Sequence, residues 1–365
     1  MAVAAPQAKR KPVFHLLRVA ELERITDDAV AITFEVPEEL REEYRFLAGQ
    51  HLALRCTIAG DDVRRNYSIC TPATSGRLRV GVKRLPGGVF SAYAMERLAV
   101  GDAIEVLTPT GQFHTPLDPA QARHYGAVAV GSGITPILSI LATALEVEPA
   151  SRATLIYANR TTGDVMFLEE LEDLKNRHLG RFQLIHVLGE EWQEAELLSG
   201  RLDRERLTAL LDNLVTPDVD EWFLCGPLDL TETVHETLVG RGFDPDHIHR
   251  ELFHVDTGTA RRPPPPEAGD ADTGAKVTVV LDGRGTSFTL QPGTEPILDA
   301  ALRLRGDAPY ACKNGVCGTC RARLVQGKVE MAQNFALERD ELARGYVLAC
   351  QSYPAAGEVT LDFDQ

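Results

Sequence analysis

The chain has 365 residues, of which 44% are hydrophobic and 25% charged, and a formal net charge of −15. This composition fits a folded protein of two or three domains, and the negative balance disfavours bulk binding of DNA or RNA, whose phosphates it would repel. Seven cysteines, an odd number, argue against a secreted disulfide framework. The N-terminus "MAVAAPQAKRKPVFHLL" has no apolar core of signal-peptide length, so a cytoplasmic protein is expected.

From residue 12 to about 112 the chain reads as short strands spaced by Gly, Pro and Asp turns: "VAITFEV", "GQHLALRCTI", "RRNYSIC", "RLRVGVKR" and "AIEVL". This rhythm predicts an antiparallel barrel or sandwich. The acidic segment "EELREEYR", Glu38 to Arg45, reads as a solvated face. From about Ala122 strands alternate with amphipathic helices. "YGAVAVG" precedes "TPILSILATALE", "ATLIYANR" precedes "FLEELEDLKNR", "FQLIHVL" precedes "RERLTALLDNL", and "EWFLCGP" precedes "LTETVHETLVG"; "HIHREL" closes the series. Such alternation predicts a parallel, doubly wound sheet. The uncharged stretch from Ala127 to Leu145 is long enough to suggest a membrane span, but Gly-Ser-Gly and Pro interrupt it; a buried strand, a turn and a packed helix explain it better.

The segment "TGTARRPPPPEAGDADTGAK" reads as a linker, with Pro263 to Pro266 stiff and extended. Beyond it, "KVTVVLDG" and "TSFTLQPG" suggest a hairpin, "PILDAALRLRG" a helix, and "RARLVQGKVEM" and "EVTLDF" further strands, together a small α+β unit. The expected domains are therefore 12–117, 118–256, a linker at 257–275, and 276–365.

Four short motifs mark nucleotide chemistry. In "RRNYSIC", Arg65 can clamp a pyrophosphate, Tyr67 can lie against a ring system and Ser68 can hydrogen-bond a ring heteroatom. Downstream, "GGVFS" (Gly87, Gly88 and Ser91) opens a helix, as an anion site does. "GSGITP", from Gly131 through Gly133 and Thr135 to Pro136, lies between a parallel strand and its helix, and "CGP", Cys225, Gly226 and Pro227, ends a later strand. In a doubly wound sheet both loops face one crevice at the carboxyl ends of the strands.

The spacing Cys312-x4-Cys317-x2-Cys320, then 29 intervening residues, then Cys350, is that of a plant-type [2Fe–2S] site. Gly315 and Gly318 would let backbone amides approach the sulfurs. A zinc site would more naturally show two short cysteine pairs. Cys56, Cys70 and Cys225 sit in apolar strands and read first as small buried residues.

Together, in order, Arg-x-Tyr-Ser, Gly-Gly-x-x-Ser, Gly-x-Gly-Ile-Thr-Pro and Cys-Gly-Pro resemble the ferredoxin–NADP reductase superfamily. The C-terminal unit is similar to a plant-type ferredoxin of β-grasp fold, so the whole chain resembles the oxygenase reductases. "RFLAGQHL", "GSGITP", "YANRTT", "GYVLACQ" and "VTLDFD" are similar to the reductase subunits of phenylacetyl-CoA epoxidases. The resemblance implies three cofactors: FAD, NADPH and a [2Fe–2S] cluster. Arg65, Gly87, Gly88 and Ser91 would contact FAD phosphates; Tyr67 would pack on the flavin and Ser68 sit near its N5. Gly131, Gly133, Thr135, Pro136, Cys225, Gly226 and Pro227 would line the nicotinamide nucleotide, with Ser68, Thr135 and Cys225 nearest the reacting atoms and Phe253 as an aromatic near the flavin. Arg160, in a turn with no immediate acid, favours the 2′-phosphate of NADPH, with Asp164 as the counter-indication. The implied partner is a separate oxygenase with a di-iron centre; no nucleic acid and no membrane is expected. No histidine is assigned a catalytic role. Two alternatives remain open: a reductase for another oxygenase, or a redox sensor.

Overall fold

A computed structural model of the chain describes residues 12–253, 274–337, 339–355 and 357–365. The chain divides into two compact units, Met1–Phe253 and His254–Gln365. Residues 257–273 of the expected linker, and residues 254–256 before it, lie outside the described residues.

The first unit opens with strands β1 (Phe14–Thr26), β2 (Ala29–Glu35), β3 (His51–Ile58), β4 (Asp61–Ser68), β5 (Leu78–Lys83) and β6 (Ala103–Leu107), in the order β4-β3-β6-β1-β2-β5. A bridge between Ile69 and Val80 ties the two outer strands and closes the sheet into a barrel. Inward residues such as Leu17, Ile32, Leu52, Leu54, Val80 and Val106 form its core, joined by Phe90 and Ala94 of helix α1 (Val89–Glu96). The five expected strands are present. The longest, β1, has no counterpart in the sequence reading. Its "RVAELERIT" half is rich in helix formers, and register shifts after Val19 and Arg24 break the alternation.

Next come β7 (His124–Val130), α2 (Ile134–Val147), β8 (Arg152–Asn159), α3 (Leu168–Arg177), β9 (Phe182–Leu188), α4 (Arg204–Asn213), β10 (Glu221–Gly226), α5 (Leu228–Gly240) and β11 (Ile248–Leu252). All five strands are parallel, in the order β11-β10-β7-β8-β9. The chain reverses direction across the sheet between β7 and β10, which opens a crevice at their carboxyl ends. Side chains alternate between the two faces. Tyr125, Ala127, Ala129, Phe223 and Cys225 pack with α2 and α3; Val128, Trp222 and Leu224 pack with α4 and α5. The long uncharged stretch is thus split into β7, a tight turn and α2. Among the described residues no helix is long and apolar enough to cross a membrane.

The barrel leans on the α2 face. Ser139 Oγ donates to the Thr71 carbonyl (2.7 Å), and Thr143 Oγ1 accepts from Ala73 N–H (3.0 Å). Arg79 on β5, buried, pairs with Glu23 (2.6 Å) and with Glu170 of α3 (3.0 Å), and its guanidinium lies 5.1 Å from the Phe167 ring centre.

The second unit contains β12 (Ala275–Leu281), β13 (Arg284–Leu290), α6 (Ile297–Leu302), β14 (Arg321–Gln326), β15 (Val329–Met331), α7 (Arg339–Ala343), β16 (Tyr346–Leu348), β17 (Ser352–Pro354) and β18 (Glu358–Asp362). Its main sheet runs β13-β12-β18-β14-β16, and β15 pairs with β17. Val277, Val279, Ile297, Ala301, Leu348 and Leu361 share its core. Ala275, read as the end of the linker, opens β12 because its side chain is buried in that core. Helix α6 stops short of the expected Gly306. The chain tightens as Leu304 N–H bonds the Ala301 carbonyl (2.9 Å), and Arg305 ties itself to Asp307 (2.8 Å).

Candidate functional site

In the first unit the crevice between β7 and β10 meets the end of β4. Arg65 and Tyr67 share one side of β4. Arg65 is exposed, with one N–H on the Arg64 carbonyl (2.7 Å), and Tyr67 packs on Phe90 with ring centres 5.3 Å apart. Burial pushes the Tyr67 phenol well above its usual range, so it stays neutral. Ser68 is buried, and its hydroxyl donates to Glu251 Oε2 at 3.0 Å. Glu251 stands on β11 opposite Cys225 of β10, and its other oxygen lies 3.8 Å from His51 Nδ1. Burial, reinforced by the Glu251 charge, raises the Cys225 thiol well above its ordinary range. Ser68 and Cys225, expected together, do converge. Glu251 and His51 join them and were missed by the sequence reading, which singled out Phe253 and passed over the carboxylate two residues before it. A lone Glu in a strand that closes a parallel sheet was the available signal.

The loop after β7 owes its shape to close packing. Gly131 has φ +53° and open space where a side chain would be, whereas a Cβ on Gly133 would lie 2.2 Å from the Cys225 carbonyl oxygen. Gly133 therefore lets this loop seat against the end of β10, which joins the two crevice loops into one wall. Gly226 likewise faces Val130, where a Cβ would lie 3.1 Å from the valine Cβ. Thr135 is buried and its hydroxyl donates to the Ser132 carbonyl (3.0 Å), while Pro136 lies buried in the first turn of α2. Pro227 precedes α5 as its N-cap. No side chain caps α1, α2 or α5, whereas Asp203 caps α4 on Arg206 N–H (2.9 Å). The starts of α1, α2 and α5 are thus compatible with a bound anion, a trait they share with the uncapped α3 and α6.

Gly88 is the N-cap of α1 and Gly87 (φ +73°) precedes it. Ser91 turns its hydroxyl inward, accepting from Leu85 N–H (3.1 Å) and donating to the Gly88 carbonyl (3.1 Å), so in this structure it closes the turn. Arg160 is exposed at the end of β8. It pairs with Asp164 and lies 3.9 Å from Asp28.

In the second unit the four expected cysteines gather between α6 and β16. Cys320 and Cys350 are buried; Cys312 and Cys317 are half-buried. The thiols stand two and two. A hydrogen bond with Cys317 is the main force bringing Cys312 down to about 7, against burial. The bond between Cys320 and Cys350 raises the first and lowers the second. Among the described residues no three His, Cys, Asp or Glu side chains converge on a point as one metal ion would need. Two pairs of thiols suit two irons. Gly315 and Gly318 adopt φ +74° and +66°, and Asn314 N–H points at Cys312 Sγ (3.3 Å). Gln351 bonds both the Lys313 carbonyl (2.8 Å) and Cys350 Sγ (3.7 Å), tying Cys350 to the loop. The donor set therefore fits a [2Fe–2S] cluster, and the crevice of the first unit fits a flavin and a nicotinamide nucleotide.

Three families match in tandem. Residues 16–115 match the oxidoreductase FAD-binding domain, 127–236 the oxidoreductase NAD-binding domain and 279–355 the 2Fe-2S iron-sulfur cluster binding domain. The chain is 45% identical to one subunit of the 1,2-phenylacetyl-CoA epoxidase of Escherichia coli (strain K12), over 96% of its length and 98% of that protein. The chain belongs to the oxygenase reductases of the ferredoxin–NADP reductase superfamily. This reductase is also 32% identical to the 3-ketosteroid-9-alpha-monooxygenase ferredoxin reductase component of Rhodococcus rhodochrous, over 99% of both chains. Its fold resembles phthalate dioxygenase reductase, with a TM-score of 0.59 and 25% identity over 96% of this chain and 98% of that one. It is an oxidoreductase with FAD-binding, NAD-binding and ferredoxin domains.

Proposed function

We propose that this reductase takes electrons from NADPH and delivers them to a separate, di-iron oxygenase of the phenylacetyl-CoA epoxidase kind. The observation that carries the partner is the 45% identity, over nearly the full length of both chains, to an epoxidase component. FAD, when bound, supplies the conversion of a hydride into single electrons, and the [2Fe–2S] cluster supplies their one-electron path.

The chain's own residues position these groups. Arg65 holds a pyrophosphate and Tyr67 covers the ring. Ser68 has committed its proton to Glu251, which leaves its oxygen only the role of acceptor toward a ring N–H. Gly87 and the amides of α1 receive phosphate oxygens, while Gly88, whose N–H already bonds the Leu85 carbonyl (2.8 Å), and Ser91 hold their turn in shape. The Gly131–Pro136 loop and Cys225–Pro227 seat the nicotinamide nucleotide, and buried Thr135 and Cys225 keep water from the point of transfer. Arg160 addresses the 2′-phosphate. Holding donor and acceptor atoms about 3–3.5 Å apart is the main service such a site renders. Cys312 with Cys317, and Cys320 with Cys350, hold one iron each. This chemistry takes place in the cytoplasm.

Reconstitution with purified oxygenases tests the proposal: NADPH oxidation is expected to couple to phenylacetyl-CoA consumption when the epoxidase is added. A second reading, a reductase for a steroid hydroxylase, is favoured by the full-length likeness to the ketosteroid monooxygenase component. Coupling to such an enzyme, and none to the epoxidase, would replace the first.

A further inference from the structure

The turn after β8 offers an anion three kinds of donor: the Arg160 guanidinium, the hydroxyls of Thr161 and Thr162, and their backbone N–H groups. Carboxylates already occupy them. Asp164 Oδ2 accepts from Thr161 N–H (3.2 Å) and Thr161 Oγ1 (2.8 Å), and the same carboxylate pairs with Arg160. Burial would raise the Asp164 carboxyl, but the bonds from Thr161 and Arg160 outweigh it and hold it below its usual range, so it remains charged. Asp164 closes its own turn as a capping box.

The other occupant comes from elsewhere. Glu191 lies on the loop after β9, yet its Oε2 accepts from Thr162 N–H (2.6 Å) and its Oε1 from Thr162 Oγ1 (2.9 Å). The backbone holds that loop in place: Gly189 N–H bonds the Asn159 carbonyl (2.8 Å) and Glu190 N–H the Arg160 carbonyl (2.8 Å). Two carboxylate oxygens on an N–H and an adjacent O–H imitate two oxygens of a bound phosphate. Nothing in the fold requires this bond, because Glu191 is exposed and leaves no buried group behind when removed.

We infer that Glu191 is a coenzyme-specificity residue: its carboxylate fills the Thr162 end of the ribose-2′ pocket and competes with a 2′-phosphate. A 2′-hydroxyl, being uncharged and smaller, leaves the carboxylate in place and can donate to it. The inference rests on the proposed reading of this turn as the ribose pocket.

Titration calorimetry on the full-length, FAD-loaded chain separates the two. The probes are 2′,5′-ADP and 5′-AMP, which differ only in the 2′-phosphate. Glu191→Gln is expected to tighten 2′,5′-ADP by roughly threefold to tenfold, the scale of one exposed charged contact, and to change 5′-AMP by less than about twofold. Glu194→Gln makes the same change of charge from an exposed position on the same loop. It should leave both ligands unchanged. Equal shifts for both ligands, an equal effect from Glu194→Gln, or no tightening in Glu191→Gln would overturn the inference. Arg160→Ala reports on the pocket itself. If it weakens 2′,5′-ADP selectively while Glu191→Gln is silent, the competition is wrong and the pocket stands. If it alters neither ligand, the pocket reading falls too.

Discussion

Ser68 and Gly133 are where single atoms decide the crevice. Ser68→Ala would leave a half-buried carboxylate oxygen without its donor, beside a thiol already raised by that charge. The expected cost is about 1–3 kcal/mol of stability, read from urea unfolding. Flavin bleaching by NADPH in stopped flow should slow by up to about a hundredfold, since a small misplacement near the reacting atoms is that costly. Unchanged bleaching would remove Ser68 from the site. For Gly133→Ala the Cβ would meet the Cys225 carbonyl at 2.2 Å, and the oxygen belongs to a strand that cannot yield. Overpacking of about 1–3 kcal/mol is expected, with weaker coenzyme binding, and a variant as stable as the parent would contradict the packing account. In the sequence these glycines read as a phosphate loop. That Gly133 lets two backbone segments touch was not legible, because it depends on β10 lying beside β7, and nothing local to "GSGITP" states that.

At the scale of elements, the parallel half was the most legible, because four of its five strands are mostly apolar and each of those four is followed by a helix. The segments that escaped are short or irregular: β16 and β17 have three residues each, α7 has five, and the bulged β1 mixes charges with helix formers. Pairing with β2 and β6 makes β1 a strand, so its signal lies in its partners. One edge has a pH signature that no local pattern announced. Glu221, buried at the start of β10, receives His249 Nε2 (2.7 Å) and His247 Nδ1 (3.2 Å), with Arg123 at 3.7 Å. Burial alone would raise this carboxyl; the histidine bonds outweigh it and hold it below its usual value. A carboxyl depressed in the folded state stabilises above its unfolded pKa, near 4.3, and loses that contribution as pH falls through the folded value. Glu221→Gln should therefore be less stable than the parent at pH 6–7, and the gap should close on acidification below about pH 4. Urea midpoints across that range check this. A gap of constant size would mean that the carboxylate charge contributes nothing there.

For the whole molecule, the decisive fact is that each unit has its own core and its own cofactor residues. The four cysteines expected to hold the cluster lie in His254–Gln365, and the residues expected to line the flavin crevice lie in Met1–Phe253. Cys350→Ser should accordingly abolish the iron–sulfur absorption while leaving flavin content intact. NADPH-dependent reduction of ferricyanide, which a flavin can perform directly, should persist, and reduction of the oxygenase should cease. Undiminished oxygenase turnover in that variant would break the linear route. The same independence makes the connection between units measurable. Produced separately, residues 12–253 and 274–365 should each fold and load their own groups. If the roughly 20 residues between them act as the flexible linker that their sequence suggests, the two units would meet at an effective concentration on the order of millimolar. Oxygenase-coupled turnover by the mixed fragments should then rise in proportion to the ferredoxin fragment, and approach the rate of the intact chain only near that concentration. Full turnover at micromolar fragment would mean that the units bind each other tightly without the linker, and the proline-rich segment would then serve as a spacer with no kinetic part in the transfer.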